Sequence, residues 1–331
     1  MKNGKRGMAL LLAAALLLTL GGCSREETET TKETERVTVG GIENILDTKG
    51  SETTSAGEPA DVTPEVPATE ATEAATEAPE TTAAAVTPQI SFNVDLGALS
   101  GLSNEVKSWG PGTNVDEANR PTGATMYQNS YGQYSADFIR ENSNQIYLTL
   151  DEGYENGYTS VILDVLKEKQ VSAVFFVTMP YVKAQPELVQ RMIDEGHVVG
   201  AHSVTHPSDG MPSLTLEQQL SELRDLHEYV KETFGYEMYL FRYPAGIFSE
   251  QSLALVQATG YRSVFWSFAY RDWVTDDQPD PAEALNKVVS RLHPGAIYLL
   301  HAVSSTNAQI MGDFIDQARA AGYEFARYEA E

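Results

Sequence analysis

The chain has 331 residues, 42% of them hydrophobic, which is enough for one large domain or two small ones. Its formal net charge of −24 argues against a nucleic-acid partner, because the phosphates would repel it. Cys23 is the only cysteine, so no disulfide within the chain stabilises the fold.

The N-terminus has the pattern of an export signal. Two lysines and an arginine make its start basic, and residues 8–20 form an apolar run too short to span a bilayer comfortably. The following Leu-Gly-Gly-Cys resembles a bacterial lipobox, in which Cys23 becomes the acylated first residue of the mature protein. We therefore predict a lipoprotein signal peptide over residues 1–23 and a lipid anchor in the membrane. The alternative is an ordinary signal peptide with an unpaired thiol, which is a poor choice in an exported chain.

Residues 24–88 are rich in Thr, Glu, Ala and Pro and contain few large apolar residues. Such a segment has no core to offset the entropy of ordering, so we predict a disordered acidic tether. The tether carries a net charge of −11 and residues 1–23 carry +3, which leaves −16 on residues 89–331. The rest of the chain is therefore acidic as well.

From Ile146 onward, predicted strands and helices alternate. The predicted strands cover residues 146–150, 171–178, 197–201, 239–242, 261–266, 296–301 and 323–326. The predicted helices cover residues 159–169, 186–195, 216–234, 249–260, 281–292 and 306–321. This alternation predicts an α/β fold with a parallel sheet, and about seven such units favour a (β/α) barrel. We assign residues 145–331 to this catalytic domain and residues 89–144 to an N-terminal extension that packs on it.

Acids, bases and potential ligands follow the predicted strands. In parallel α/β folds, functional residues lie just past the carboxyl ends of the strands. The residues at these ends are Asp151, Glu152, His202, His206, Arg242, Asp272, Trp273 and His301.

Two histidines four residues apart form a candidate metal site. In "AHSVTHP", His202 and His206 follow a strand, and His-x3-His spacing suits zinc with open coordination positions. Imidazole and carboxylate ligands favour Zn²⁺, and Co²⁺, Ni²⁺ or Mn²⁺ can substitute. The alternative is a pair of histidines that cap a turn.

Asp151 is a candidate general base for a water polarised by such a metal. Arg242, in "LFRYPAG", would keep Asp151 ionised and oriented. The alternatives are a turn-capping aspartate and a structural salt bridge.

Asp272, in "YRDWV", and His301, in "IYLLHAVS", form a candidate acid pair. A carboxylate bonded to an imidazole raises the pKa of the imidazole, so His301 would donate a proton to a leaving group. Trp273 offers an apolar wall for a sugar face or an acetyl methyl, or it belongs to the core. A metal, a base and an acid on the opposite side fit hydrolysis of an amide or ester.

Taken in order, the block "LTLDEG" and the four motifs above resemble the polysaccharide deacetylases with NodB homology, which form carbohydrate esterase family 4. The resemblance covers residues 145–327 and implies a deformed (β/α) barrel. It also implies that Asp151 is the base, that Arg242 is its partner, and that His301 is the acid tuned by Asp272. By the same resemblance, His202 and His206 are metal ligands, the backbone N–H of Tyr243 holds the oxyanion, and Trp273 lines the acetyl pocket.

Three longer stretches resemble one branch more closely, namely "YLTLDEGYENGYTSVILDVLKE", "VKAQPELVQRMIDEGHVVGAHS" and "HPGAIYLLHAVSSTNAQI". Together with "NEVKSWG" ahead of the barrel, they look like the delta-lactam-biosynthetic de-N-acetylases. This branch implies removal of the N-acetyl group from muramic acid in peptidoglycan, a step that precedes δ-lactam formation in the spore cortex. The lipobox and the tether depart from the spore enzyme and fit a lipoprotein on the outer face of the cell membrane that acts in the wall. Glu152 stands where the family has a metal-binding Asp. Glu152 therefore binds the metal directly or through water, or the metal rests on His202, His206 and solvent.

There are two alternatives to a muramic acid deacetylase, one that also removes acetyl groups and one that is not an enzyme. The first alternative acts on another polymer, such as N-acetylglucosamine in peptidoglycan, chitin or xylan. The second is a non-catalytic lipoprotein that binds wall glycan.

Overall fold

The computed structural model describes residues 89–140 and 144–329. The predicted signal peptide, the predicted lipidation site Cys23 and the predicted tether lie outside these residues. Across the two described ranges, no helix has both the length and the apolar character needed to cross a membrane.

Eleven strands occur in the described residues. They are β1 (Lys107–Ser108), β2 (Ala136–Asp137), β3 (Gln145–Glu152), β4 (Val174–Val177), β5 (Val198–Ala201), β6 (Leu240–Phe241), β7 (Ile247–Phe248), β8 (Arg262–Val264), β9 (Phe268–Ala269), β10 (Ala296–His301) and β11 (Glu324–Phe325).

Nine helices accompany them in the same part of the chain. They are α1 (Leu96–Leu99), α2 (Thr122–Tyr131), α3 (Thr159–Lys169), α4 (Met179–Ala184), α5 (Pro186–Asp194), α6 (Leu216–Phe234), α7 (Glu250–Ala258), α8 (Pro281–Ser290) and α9 (Ser305–Ala320).

The sheet is parallel and curled into a half-barrel. Its strand order is β2-β8-β6-β5-β4-β3-β10-β9, and β11 pairs with the start of β3. In the described residues β2 and β9 end this order and are not paired with each other, so the barrel is open between them. The prediction of a deformed (β/α) barrel is confirmed.

Side chains alternate between the two faces of β3. Tyr147 belongs to a small apolar cluster together with Val174, Val198 and Ile297, whereas Ile146 belongs to the main core beneath the helices. Since the side-chain period of a strand is two, Asp151 shares a face with Tyr147, and Glu152 shares the opposite face with Ile146. The two adjacent acids are thereby directed into different environments.

The helix boundaries follow local capping signals. The predicted capping box of α6 is present, since the Thr215 hydroxyl accepts from the Gln218 N–H and the Gln218 side chain accepts from the Thr215 N–H. The helix ends at Gly235, whose φ of 67° suits glycine. The capped helix predicted after Ser249 is α7.

Several elements of the barrel differ from the prediction. The strand predicted over residues 261–266 is the shorter strand β8, and the strands β7 and β9 were not predicted. The short helix α4 was not predicted; Pro180 lies in its first turn, where no intrahelical N–H is required.

The segment before β3 contacts the barrel throughout its length. Strand β1 pairs antiparallel with β7, and β2 extends the sheet next to β8. Trp109 is buried and donates its indole N–H to the carbonyl of Trp266 over 3.0 Å. The ring of Phe138 stacks on Phe265 with centroids 4.3 Å apart.

Candidate active site

A cleft of about 370 Å³ lies at the carboxyl ends of the central strands. Five of the predicted site residues line it, namely Asp151, His202, His206, Trp273 and His301. The other lining residues are Gly153, Tyr154, Thr178, Pro180, Thr205 and Val303. Parallel strands bring these residues together because their carboxyl ends meet at one edge of the sheet.

Asp151 is held by Arg242 from beneath the cleft. The Arg242 Nη1 donates to Asp151 Oδ1 over 2.8 Å and to Thr149 Oγ1 over 2.7 Å. The guanidinium is fully buried, and its other donors bond the carbonyls of Val264 and Phe265. Burial alone would raise the pKa of Asp151, but the charge and hydrogen bond of Arg242, together with the nearby imidazoles of His202 and His301, outweigh it and hold this pKa below its usual range. The carboxylate is therefore ionised at neutral pH.

The ring of His202 is fixed by a backbone carbonyl. Its Nδ1 lies 2.9 Å from the Arg242 carbonyl oxygen, which accepts only, so Nδ1 carries the proton and Nε2 keeps its lone pair. Burial lowers the pKa of His202 to about 4, which keeps the ring neutral. This is the form in which histidine binds a metal.

The loop that carries His206 is held in an unusual conformation. Ser203 has a φ of 72° and His206 a φ of 50°, in the left-handed region that non-glycine residues rarely adopt. Glu222 on α6 stabilises the loop, since its carboxylate accepts from the Val204 N–H, the Thr205 N–H and the Thr205 hydroxyl over 2.8–2.9 Å. The loop brings the two histidine rings to a centroid distance of 4.8 Å.

The donor atoms of His202 and Asp151 are placed where a metal cation could lie between them. His202 Nε2 and Asp151 Oδ2 face each other at 3.5 Å, and in the tautomer above neither atom carries a proton. Two lone pairs at this distance favour a proton or a cation near both of them. Within the described ranges, no group of three or more His, Cys, Asp or Glu side chains is arranged to hold a metal ion. The imidazoles of His202 and His206 and the Asp151 carboxylate are nevertheless donors of the kind that a divalent cation takes, so the residues present fit such an ion with other positions open to solvent or substrate.

Asp272 and His301 form a hydrogen-bonded pair in which Asp272 is buried and His301 is partly exposed to the cleft. His301 Nδ1 donates to Asp272 Oδ1 over 2.7 Å, and the His301 N–H donates to Asp272 Oδ2 over 2.9 Å. Asn307 donates to the same Oδ2 over 2.6 Å and receives a bond from the Tyr270 hydroxyl. Burial would lower the pKa of His301, but the hydrogen bond and charge of Asp272 raise it above the usual value. With Nδ1 engaged by Asp272, Nε2 is the nitrogen of His301 left to exchange a proton.

Two large aromatic side chains at the cleft are exposed to solvent. Trp273 is 49% exposed and its ring centroid lies 5.6 Å from that of His301. Tyr154 is 54% exposed. An exposed Trp on a cleft wall is not a core residue, and its face is free to pack on an apolar surface of a ligand.

Four predicted site residues do not line the cleft. Arg242 lies beneath Asp151, and Asp272 lies behind His301. The Tyr243 ring stacks on Phe265 in the core, and its backbone N–H donates to no acceptor among the described residues.

Glu152 is the fourth of these residues. It is fully buried on the helix-facing side of β3, and neither carboxylate oxygen has a hydrogen-bond partner in the described residues. Burial, followed by the nearby charges of Glu155 and Asp151, raises its pKa well above the usual range.

Sequence reasoning missed Thr149, Glu222 and Asn307. Thr149 lies two residues before Asp151 and therefore on the same face of β3, which is a signal that was available. Glu222 and Asn307 bond residues 17 to 35 positions away, and no local pattern marks them.

Comparison with known proteins agrees with this geometry. Residues 139–264 match the family model described as polysaccharide deacetylase. The peptidoglycan-N-acetylmuramic acid deacetylase PdaA of Bacillus subtilis (strain 168) is 41% identical over 227 residues, which cover 68% of this chain and 85% of PdaA. An uncharacterized 30.6 kDa protein of Geobacillus stearothermophilus is 42% identical over 226 residues, covering 68% of this chain and 84% of the relative.

A solved structure shares the fold as well. The structure of Bacillus subtilis PdaA, a family 4 carbohydrate esterase, has a TM-score of 0.64 and 38% sequence identity to this chain. The similarity covers 68% of this chain and 96% of PdaA. The resemblance predicted from the sequence motifs, including the closer branch, is confirmed, as is the prediction of a deacetylase. The chain belongs to the polysaccharide deacetylase family, the NodB-type enzymes of carbohydrate esterase family 4.

Proposed function

We propose that this protein is a metal-dependent hydrolase that removes N-acetyl groups from peptidoglycan amino sugars, with N-acetylmuramic acid as the target. The observation that carries the proposal is the pairing of Asp151 with His301 at one end of the cleft, with pKa values shifted in opposite directions. Two titratable groups whose pKa values are pushed apart suit the roles of base and acid. The muramic acid target is supported by the 41% identity to PdaA.

Asp151 is the general base. Its lowered pKa keeps it ionised, and Arg242 fixes Oδ1, so Oδ2 takes the proton of the attacking water. The water oxygen forms a bond to the acetyl carbon. Arg242 has no access to the cleft and acts by orienting the base.

His301 is the general acid. Asp272 holds Nδ1, and the raised pKa keeps Nε2 protonated until the carbon–nitrogen bond of the acetamide breaks. The proton passes to the departing nitrogen, which leaves as the free amine of the sugar, and the acetyl group leaves as acetate. Trp273, next to His301, packs on the acetyl methyl or on the sugar face.

His202 and His206 would hold the divalent cation, with Zn²⁺ expected and Co²⁺, Ni²⁺ or Mn²⁺ as substitutes. When bound, the cation lowers the pKa of the attacking water and balances the negative charge that develops on the acetyl oxygen. The backbone N–H of Tyr243, which has no acceptor among the described residues, is the proposed second donor to this oxygen.

The substrate is a glycan strand of the cell wall. A lipid anchor at Cys23 would hold the protein on the outer face of the cell membrane, and residues 24–88 would let the catalytic domain reach the wall.

The test is acetate release from purified peptidoglycan by the full-length protein, measured with a chelator and after addition of each of the four metals. The proposal expects release that the chelator abolishes and that at least one metal restores. If no metal yields acetate while the protein still binds the glycan, the protein is a binding protein and the proposal fails.

A further inference from the structure

A second cavity, of about 210 Å³, lies at the other end of the sheet. Ser267 and His293 line it, just before the amino ends of β9 and β10, whereas the catalytic cleft lies at their carboxyl ends. Its opposite wall is residues 111–113, with Asn119 and Pro121, from the segment that precedes β3. This cavity is separate from the deacetylase site.

The wall from the preceding segment is tied to the barrel. Asn119 Nδ2 donates to the carbonyls of Ser290 and Leu292 over 3.0 and 2.9 Å. On the barrel side His293 is fully buried, with one ring nitrogen 2.7 Å from the Ser267 hydroxyl. The cavity is therefore built from fixed elements on both sides.

Two cationic side chains without ion pairs line this cavity. Most lysines and arginines of the described residues pair with a carboxylate. Within the described residues, Lys287 and Arg291 form no ion pair, and neither side chain donates a hydrogen bond; the ammonium of Lys287 lies 5.8 Å from the ring centroid of Tyr270. Asp116, whose charge acts on the pKa of His293, is already paired with Arg120 at 2.8 Å.

Such a pair of cations is unexpected in a domain that carries a charge of −16. In an acidic protein each exposed cation has many carboxylates available as partners, yet these two lie together and unpaired. A guanidinium presents a fork that matches a carboxylate or a phosphate, and an ammonium adds a mobile charge. A volume of about 210 Å³ holds one such group with a few waters, each of which occupies about 30 Å³.

We propose that the cavity lined by Lys287 and Arg291 binds a small oxyanion, the carboxylate or phosphate group of a ligand. The segment before β3 then has a role beyond covering the barrel, because it supplies one wall of the site. The competing explanation is that both cations only balance the dipole at the carboxyl end of α8, where they lie.

The test is an NMR titration of the full-length protein, followed through backbone amides of residues 111–113 and 267–269. One arm uses inorganic phosphate and the other uses acetate, so that the two arms distinguish a phosphate ligand from a carboxylate ligand. We expect saturable shifts in at least one arm. In the double variant Lys287→Gln/Arg291→Gln the affinity falls at least about tenfold, because charge-assisted hydrogen bonds are lost.

The matched control is Lys183→Gln/Arg319→Gln, which removes the same charge outside the cavity and should bind as the wild type does. Equal loss in the control would mean that net charge alone attracts the anion, and this would overturn the proposal. The proposal also fails if neither anion gives saturable shifts, or if Lys287→Gln/Arg291→Gln loses thermal stability and binds as the wild type does. The last result is the one expected from the helix dipole alone.

Discussion

Asp151 and His301 are register partners on neighbouring parallel strands, at the carboxyl ends of β3 and β10. Adjacent strands lie about 4.8 Å apart, so the two side chains face the same small volume. Arg242 lowers the pKa of the first and Asp272 raises that of the second. The proposed base and the proposed acid thus lie on adjacent strands of the sheet.

Asp151→Asn should lower the rate of deacetylation by about 10²–10⁴-fold, the range for loss of a general base. The metal content should stay close to that of the wild type, because the histidine ligands are unchanged. The measurement is the rate of acetate release together with metal analysis. Asp313→Asn, an exposed acid on α9, is the control and should match the wild type. A wild-type rate in Asp151→Asn would remove the assignment of the base.

Asp272→Asn should move the alkaline limb of the pH–rate profile to lower pH. His301 must be protonated to act, and Asp272 raises its pKa, so the wild type keeps activity above the usual histidine pKa of about 6.5. The amide still accepts from Nδ1 but lacks the charge, so His301 loses its proton at lower pH. Asp272 does not contact Asp151, whose pKa stays lowered by Arg242, so the acid limb should not move. An unchanged alkaline limb would show that another group is the acid.

Glu222→Gln should weaken metal binding about 10–100-fold, as changes behind a ligand commonly do. The amide oxygen can still accept from both N–H groups of the loop that carries His206, but it lacks the negative charge, and the amide nitrogen cannot accept from the Thr205 hydroxyl, so the left-handed conformation loses support. The measurement is the metal dissociation constant by chelator competition. Glu228→Gln, on the exposed side of the same helix, should leave the constant unchanged. Equal affinity in Glu222→Gln and the wild type would contradict this role.

Glu152→Gln should keep its metal, whereas His202→Gln should lose it. Because the pKa of Glu152 is raised on folding, the folded protein holds this proton more tightly than the unfolded chain. Its contribution to stability is present below the unfolded pKa of about 4.3 and is lost as the pH rises toward the folded value. The neutral glutamine avoids this loss, so the variant should melt at or above the wild-type temperature at pH 7. Metal loss equal to that of His202→Gln would make Glu152 a ligand.

The fold and most of the residues that line the cleft could be predicted from the sequence. Apolar strands alternate with capped helices, and parallel strand ends converge, which is why Asp151, His202 and His301 could be placed together. Their direct partners Arg242 and Asp272 also follow strands and were predicted, but the side chains that support the site from the helices could not be predicted. Glu222 reaches the histidine loop from a helix, and Asn307 reaches Asp272 from another, so both depend on packing and not on local spacing.

The adjacent acids Asp151 and Glu152 show the same limit of sequence-based prediction. Alternation along a strand predicts that the two acids point in different directions. It does not predict what the second acid meets, because the surroundings of Glu152 come from α3 and α4. The unpartnered burial of its carboxyl group is visible only in the folded chain.

Locating the lost acetyl group is the sharpest test of whether the protein deacetylates N-acetylmuramic acid. Peptidoglycan treated with the metal-loaded protein is digested to disaccharides, and tandem mass spectrometry assigns each remaining acetyl group to muramic acid or to glucosamine. We expect free amines on muramic acid with the wild type, and none with the Asp151→Asn control. Acetyl loss confined to glucosamine, or no loss on either sugar, would contradict it.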